Sequence, residues 1–201
     1  QQVAITVHQK RDRVQDLLDA GATLAPDIAT LGASCDVVLV CVTGSPQVEA
    51  VVAGPHGLLS HAKAGLVIVD CSTSEPASTA HLRELAHAKG VTLVDAPLAR
   101  SPVEAEAGRL NIMVGAEPDV FAKLEPILKC CAENVFHVGG PGAGHGIKLL
   151  NNFIGQAICT ATAEAFAVGQ RAGIDPKQLV ALVGAGPVNS GLFQAMAKTL
   201  D

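Results

Sequence analysis

Lys148 and Asn152 stand four residues apart behind a glycine-rich turn, in the run Gly142-Ala-Gly144-His-Gly-Ile-Lys148-Leu-Leu-Asn151-Asn152. On a helix, positions i and i+4 share a face. An amine that can move a proton and an amide that can donate and accept would then point into one small volume. That pairing suits chemistry on a carbonyl or an alcohol. The spacing alone also fits a snorkelling lysine and a cap-like asparagine on a surface helix.

Three other stretches end in small polar residues. Asp36 to Val42 runs into Thr43-Gly44-Ser45-Pro46, Gly65 to Asp70 into Cys71-Ser72-Thr73-Ser74, and Val91 to Asp95 into Ala96-Pro97-Leu98-Ala99-Arg100-Ser101. Each could be simple turn chemistry. Three together, followed by the lysine segment, match the strand ends of an open α/β sheet, where ligands collect.

The elements that must position these residues alternate along the chain. Val3 to Val7 is a short β-branched run, and Arg11 to Ala20 has helical spacing with Val14, Leu17 and Leu18 on one face. The continuous apolar runs at 36–42, 65–70 and 91–95 suit strands buried on both faces of a parallel sheet. Leu110 to Val114 and Val135 to Val138 read as further strands. Helices are predicted over 47–52, from Ser74-Glu75-Pro76 to Lys89, and over 119–130. Strands separated by helices imply βαβ crossovers and a doubly wound sheet. After Gly140-Pro141-Gly142 the strands cease. A long helix is predicted over 144–172, another from Asp175-Pro176, and a third after Asn189-Ser190-Gly191. The expected fold is therefore α/β: a Rossmann-like doubly wound sheet over 1–141, then the start of an all-α domain over 142–201.

Composition narrows the functional classes. The 201 residues are 49% hydrophobic and 16% charged, with a net charge of −5. The small cluster Lys10, Arg11 and Arg13 is too little basic surface for nucleic acid, and with no Trp or Tyr there is little to stack on bases. No apolar run reaches the roughly 18 residues of a membrane span, and no signal-peptide pattern is seen at Gln1-Gln2-Val3-Ala4. The six cysteines form no CxxC and read as small buried hydrophobes in a reducing compartment, so a cytoplasmic protein is expected. No Cys/His group has the spacing of a metal site. The seven histidines are scattered, and most read as surface or satisfied core residues.

The blocks Asp70-Cys-Ser-Thr73, Asp95-Ala-Pro97, Gly108-Arg-Leu-Asn-Ile-Met-Val-Gly115 and Gly142-x-Gly-x-x-x-Lys148-x-x-Asn151-Asn152, in this order, resemble the β-hydroxyacid dehydrogenase family. The resemblance covers essentially the whole chain. It implies a nicotinamide cofactor on a Rossmann domain and hydride transfer to or from a small 3-hydroxy acid or its semialdehyde, of the 3-hydroxyisobutyrate or 2-hydroxy-3-oxopropionate type. It implies Lys148 as catalytic acid/base, with Asn152 holding the substrate and helping to fix the lysine. Val42 and Thr43 match the cofactor-contacting end of one strand, and Ser72 and Thr73 the end on the nicotinamide side. A homodimer or homotetramer is also implied.

The sequence departs from the family in two places. The G-x-G-x-x-G loop after the first strand, which would hold the pyrophosphate, is not in the sequence, and much of the large C-terminal helical domain is not seen. A fragment of an enzyme and a non-catalytic binding module both remain open. Secondly, Ala99, Arg100 and Ser101 replace the usual Ser-Gly-Gly. The resemblance then places Arg100, Ser101 and Asn152 at the substrate, Arg100 offering a fork for an anionic group as in sulfolactaldehyde-type reductases. The alternative is a loop arginine facing solvent. Retention of Lys148 counts against a related imine reductase. The run His8-Gln9-Lys10-Arg11 lacks the acid that binds the ribose hydroxyls in NAD enzymes. Lys10 and Arg11 therefore point to NADP, with NAD as the alternative.

Overall fold

The computed structural model describes residues 2–7 and 14–200. Two short strands, β1 (Ala4–Ile5) and β2 (Thr23–Leu24), pair in parallel as a separate small sheet, and α1 (Gln15–Asp19) lies between them in the chain. α2 (Ile28–Ser34) follows, started by Asp27, whose carboxylate accepts from the Thr30 N–H at 2.7 Å.

The main sheet is built on three parallel strands, β3 (Val37–Val40), β4 (Val67–Asp70) and β5 (Thr92–Asp95). Their register aligns Val40, Asp70 and Asp95 in one row at the carboxyl ends. The crossovers run through α3 (Ser45–Ala53) and α4 (Pro76–His87), each with proline in its first turn. Successive residues point to opposite faces of a sheet. Accordingly, Ile68 and Leu93 join one buried cluster with Val48 and Val52 of α3 and Leu82 of α4. Val69 and Val94 join another with Leu124 and Leu128 of α6 (Pro118–Leu128). Helices thus cover both faces, as the sequence predicts for a doubly wound sheet.

Two features differ from expectation. The strand β7 (Leu110–Gly115) runs antiparallel to β5, and also to the short β6 (Leu98–Ala99), while β8 (Ala132–Gly139) returns parallel to β7. Between β6 and β7 lies only the five-residue α5 (Pro102–Glu106). That is short for the dozen or so residues a parallel crossover needs, so the chain doubles back. β3, expected to be buried on both faces, leaves Leu39 47% exposed. It is the end strand of this sheet, where the order is β3-β4-β5-β7-β6 with β8 on β7. The cysteines, expected to be buried, divide: Cys71, just beyond β4, is buried, Cys35, Cys131 and Cys159 are half-buried, and Cys41 and Cys130 are exposed.

The chain divides into two compact units, Gln1–Lys148 and Leu149–Asp201. The helix α7 (Ala143–Arg171) begins in the first. The second holds the rest of α7 with α8 (Pro176–Gly184), capped by Asp175, and α9 (Gly191–Ala197), capped by Ser190. Within it Phe166 stacks on Phe193, ring centroids 5.9 Å apart. Among the described residues, no helix is long and apolar enough to cross a membrane.

Candidate active site

The carboxyl ends of β3 and β4 are tied together. The Val42 N–H donates to Ser72 Oγ at 2.9 Å. Asp70, buried at the end of β4, accepts from the Ser72 N–H and from the Ser74 hydroxyl, both at 2.9 Å. Ser45, at the start of α3, accepts from the Glu75 N–H at 2.8 Å. Among the described residues no buried side-chain nitrogen or oxygen lacks a partner, so this polar bed is fully satisfied. Thr43 and Thr73 remain exposed at its rim.

Asp95 fixes the helix that carries the lysine. Its carboxylate accepts from the Gly142 N–H at 2.7 Å and the His145 N–H at 2.9 Å, taking two N–H groups that have no partner inside the helix. A negative charge is favourable at this helix end. The approach is close enough to require glycine. A Cβ on Gly144 would lie 2.5 Å from the Met113 carbonyl oxygen and 2.6 Å from that of Asp95. Gly142 adopts φ +96, a conformation open to glycine. The glycines singled out beside Lys148 therefore let α7 seat against β5 and β7.

Lys148 follows two turns into α7 and is half-buried; loss of hydration pushes its amine below the ordinary lysine pKa of 10.5. Asn152 lies one turn further along α7, within the second unit. Val42 and Ser72 are joined by the bond described above, with Thr43 and Thr73 beside them. Arg100 is engaged by other partners. It holds φ +84, its guanidinium pairs with Glu133, and it donates to the Arg109 carbonyl at 2.7 Å. Ser101 caps α5, its hydroxyl and N–H both donating to the Glu104 carboxylate. Lys10 and Arg11 lie outside the described residues.

His145 is a satisfied core histidine whose functional role the sequence does not show. It is fully buried, with Nδ1 2.7 Å from Thr79 Oγ1 and Nε2 3.2 Å from the Ser72 carbonyl oxygen. Its one signal was its place inside the lysine motif.

A family model described as the NAD binding domain of 6-phosphogluconate dehydrogenase matches residues 1–139. A second, described as NAD-binding of NADP-dependent 3-hydroxyisobutyrate dehydrogenase, matches residues 142–200. The chain belongs to the β-hydroxyacid dehydrogenase family. Among curated family members, 2-(hydroxymethyl)glutarate dehydrogenase of Eubacterium barkeri is 36% identical over 181 residues, 90% of this chain and 59% of that protein. The 3-hydroxyisobutyrate dehydrogenase of Pseudomonas aeruginosa is 35% identical over 166 residues, 83% of this chain and 56% of that protein. The chain thus spans less than two thirds of the length of these relatives. The structure of Psf3 in complex with NADP+ and 2-OPP superposes with a TM-score of 0.81 at 26% identity, covering 98% of this chain and 70% of that one.

Proposed function

We propose that this chain supplies the cofactor-binding domain, residues 1–141, and the lysine helix, within residues 142–201, of an NADP-dependent dehydrogenase. Its substrates are small 3-hydroxy acids or the corresponding semialdehydes, of the 3-hydroxyisobutyrate or 2-hydroxy-3-oxopropionate type. The observation that carries this is Lys148: a half-buried amine, weakened as a base by desolvation, on a helix whose first turn is held by the buried Asp95.

The residues at the sheet rim suit a nicotinamide cofactor. Thr43 and Thr73 offer exposed hydroxyls at adjacent strand ends, and a Cβ at Gly44 would meet nothing nearer than Gln47 Oε1 at 3.7 Å, so the backbone there is approachable. Val42, Thr43, Ser72 and Thr73 would hold the nicotinamide half, and Lys10 and Arg11 the 2′-phosphate. When bound, that group supplies hydride exchange. Lys148 manages the accompanying proton. As ammonium it donates to the carbonyl oxygen of an aldehyde; as neutral amine it takes the hydroxyl proton of the alcohol. Asn152 holds that oxygen through its amide.

Arg100 admits two roles. As an anion-binding residue with Ser101, it exchanges Glu133 for the substrate's acidic group. As a structural residue, favoured by its pairing with Glu133 and Arg109, it ties the β6 turn to β8. In Arg100→Ala the KM for an anionic substrate should rise more than that for a neutral analogue; equal effects on both select the structural role.

The assembly is a cytoplasmic homodimer or homotetramer. Support comes from the six free cysteines and from exposed apolar residues of the second unit, among them Phe153, Leu182 and Val188. The decisive experiment is Lys148→Ala in the full-length gene product. Turnover should fall at least about 100-fold with cofactor affinity retained, and wild-type turnover would refute the lysine's role.

A further inference from the structure

His145 joins elements that the proposed chemistry must hold in register. It lies three residues before Lys148 and one turn into α7, and its own N–H is fixed by Asp95. Its ring leaves the helix and enters the polar bed below the strand ends. Nδ1 meets Thr79 Oγ1 at 2.7 Å on α4, where the same hydroxyl is 3.1 Å from the Glu75 carbonyl oxygen. Nε2 meets the Ser72 carbonyl oxygen at 3.2 Å, and Asp70 Oδ2 lies 3.7 Å away.

A carbonyl oxygen can only accept, so Nε2 must carry hydrogen in this arrangement. The Thr79 hydroxyl has one hydrogen: in the neutral ring it turns from the Glu75 carbonyl to Nδ1, which accepts it, and the partner on one nitrogen selects the state of the other. Ser72 is the important terminus. Its N–H is held by Asp70, its hydroxyl by Val42 and its carbonyl by His145. The peptide linking Ser72 to the exposed Thr73 is thereby fixed from the lysine helix.

We propose that His145 is a positioning residue: through an Nε2–H bond to the Ser72 carbonyl it sets the Lys148 helix against the Ser72–Thr73 strand end. This rests on the assignment of Lys148 as acid/base and of Thr73 to the nicotinamide side. His145 touches no reacting atom. It fixes the element that moves the proton relative to the element that orients the hydride, and a misplacement of about 1 Å in such geometry can cost about 100-fold in rate.

The test uses the full-length gene product. Nitrogen-15 NMR of the imidazole near neutral pH should show a proton on Nε2; a bare Nε2 overturns the proposal independently of activity. His145→Gln can place an amide N–H near Nε2, whereas His145→Asn reaches only toward Thr79. His145→Asn should lower kcat roughly 10- to 100-fold with little change in KM, and raise the primary deuterium isotope effect. His145→Gln should restore most of kcat. Should His145→Asn fail to fold, Thr79→Val, which keeps the side-chain shape and removes the hydroxyl, should lower kcat and mix the ring tautomers. Equal kcat in wild type and the folded His145→Asn, or unaltered tautomer and kcat in Thr79→Val, overturns the positioning role alone, provided that Lys148→Ala is inactive. Full turnover in Lys148→Ala overturns the lysine assignment, and the positioning role falls with it.

Discussion

The pKa of the Lys148 amine is set by its surroundings. Half-burial disfavours the ammonium, so the amine loses its proton at a lower pH than the ordinary 10.5 of lysine. The sign has a kinetic consequence in each direction. Alcohol oxidation needs the neutral amine, so kcat should rise with pH through an apparent pKa below 10.5. Aldehyde reduction needs the ammonium, so kcat should fall through the same region. Rate profiles in both directions test this, and Lys148→Arg, whose side chain stays charged, should abolish both limbs. Limbs that persist in Lys148→Arg would assign the titration to another group. The lysine, the asparagine and the strand-end hydroxyls each stand in a short local pattern, which is why the sequence offers them as candidates. His145 could not be given a role, since its partners Thr79 and Ser72 are 66 and 73 residues away.

At the scale of elements, α7 is seated closely against β5 and β7 in the first unit. Gly144 leaves no room for a side chain, because backbone oxygens of Met113 and Asp95 already occupy the place of its Cβ. Gly144→Ala should therefore destabilise the protein by about 2–3 kcal/mol, in the range of overpacked sites, read from urea unfolding. A change below about 0.5 kcal/mol would mean that α7 is not held this closely. The long helix itself was legible, bracketed by Gly140-Pro141-Gly142 and Gly173, and so were the three parallel strands, which are rich in β-branched residues. The reversal at β7 was not legible. Strand direction depends on which partner the returning chain meets, and only the shortness of the 100–109 connection hinted at it. The exposed face of Leu39 was missed for the same reason: being at the end of a sheet is not a local property of a strand.

At the scale of the molecule, two units divide the work, a doubly wound sheet carrying the strand-end residues and a helical unit beginning within α7. The net charge of −5 does not favour the proposed anionic substrate by long-range attraction, so the proposal assigns its acid to local groups, Asn152, Ser101 or Arg100. The helical unit carries exposed Leu150, Phe153 and Ile154 along one stretch of α7, which suits further packing in the whole protein. The most direct measurement is a fluorescence titration of the full-length gene product with NADPH and NADH in parallel. Saturable binding on the order of micromolar, within the range common for enzyme ligands and tighter for NADPH, is the expected result. No binding of either nucleotide would contradict the dehydrogenase assignment and leave a binding module that keeps the fold without the chemistry.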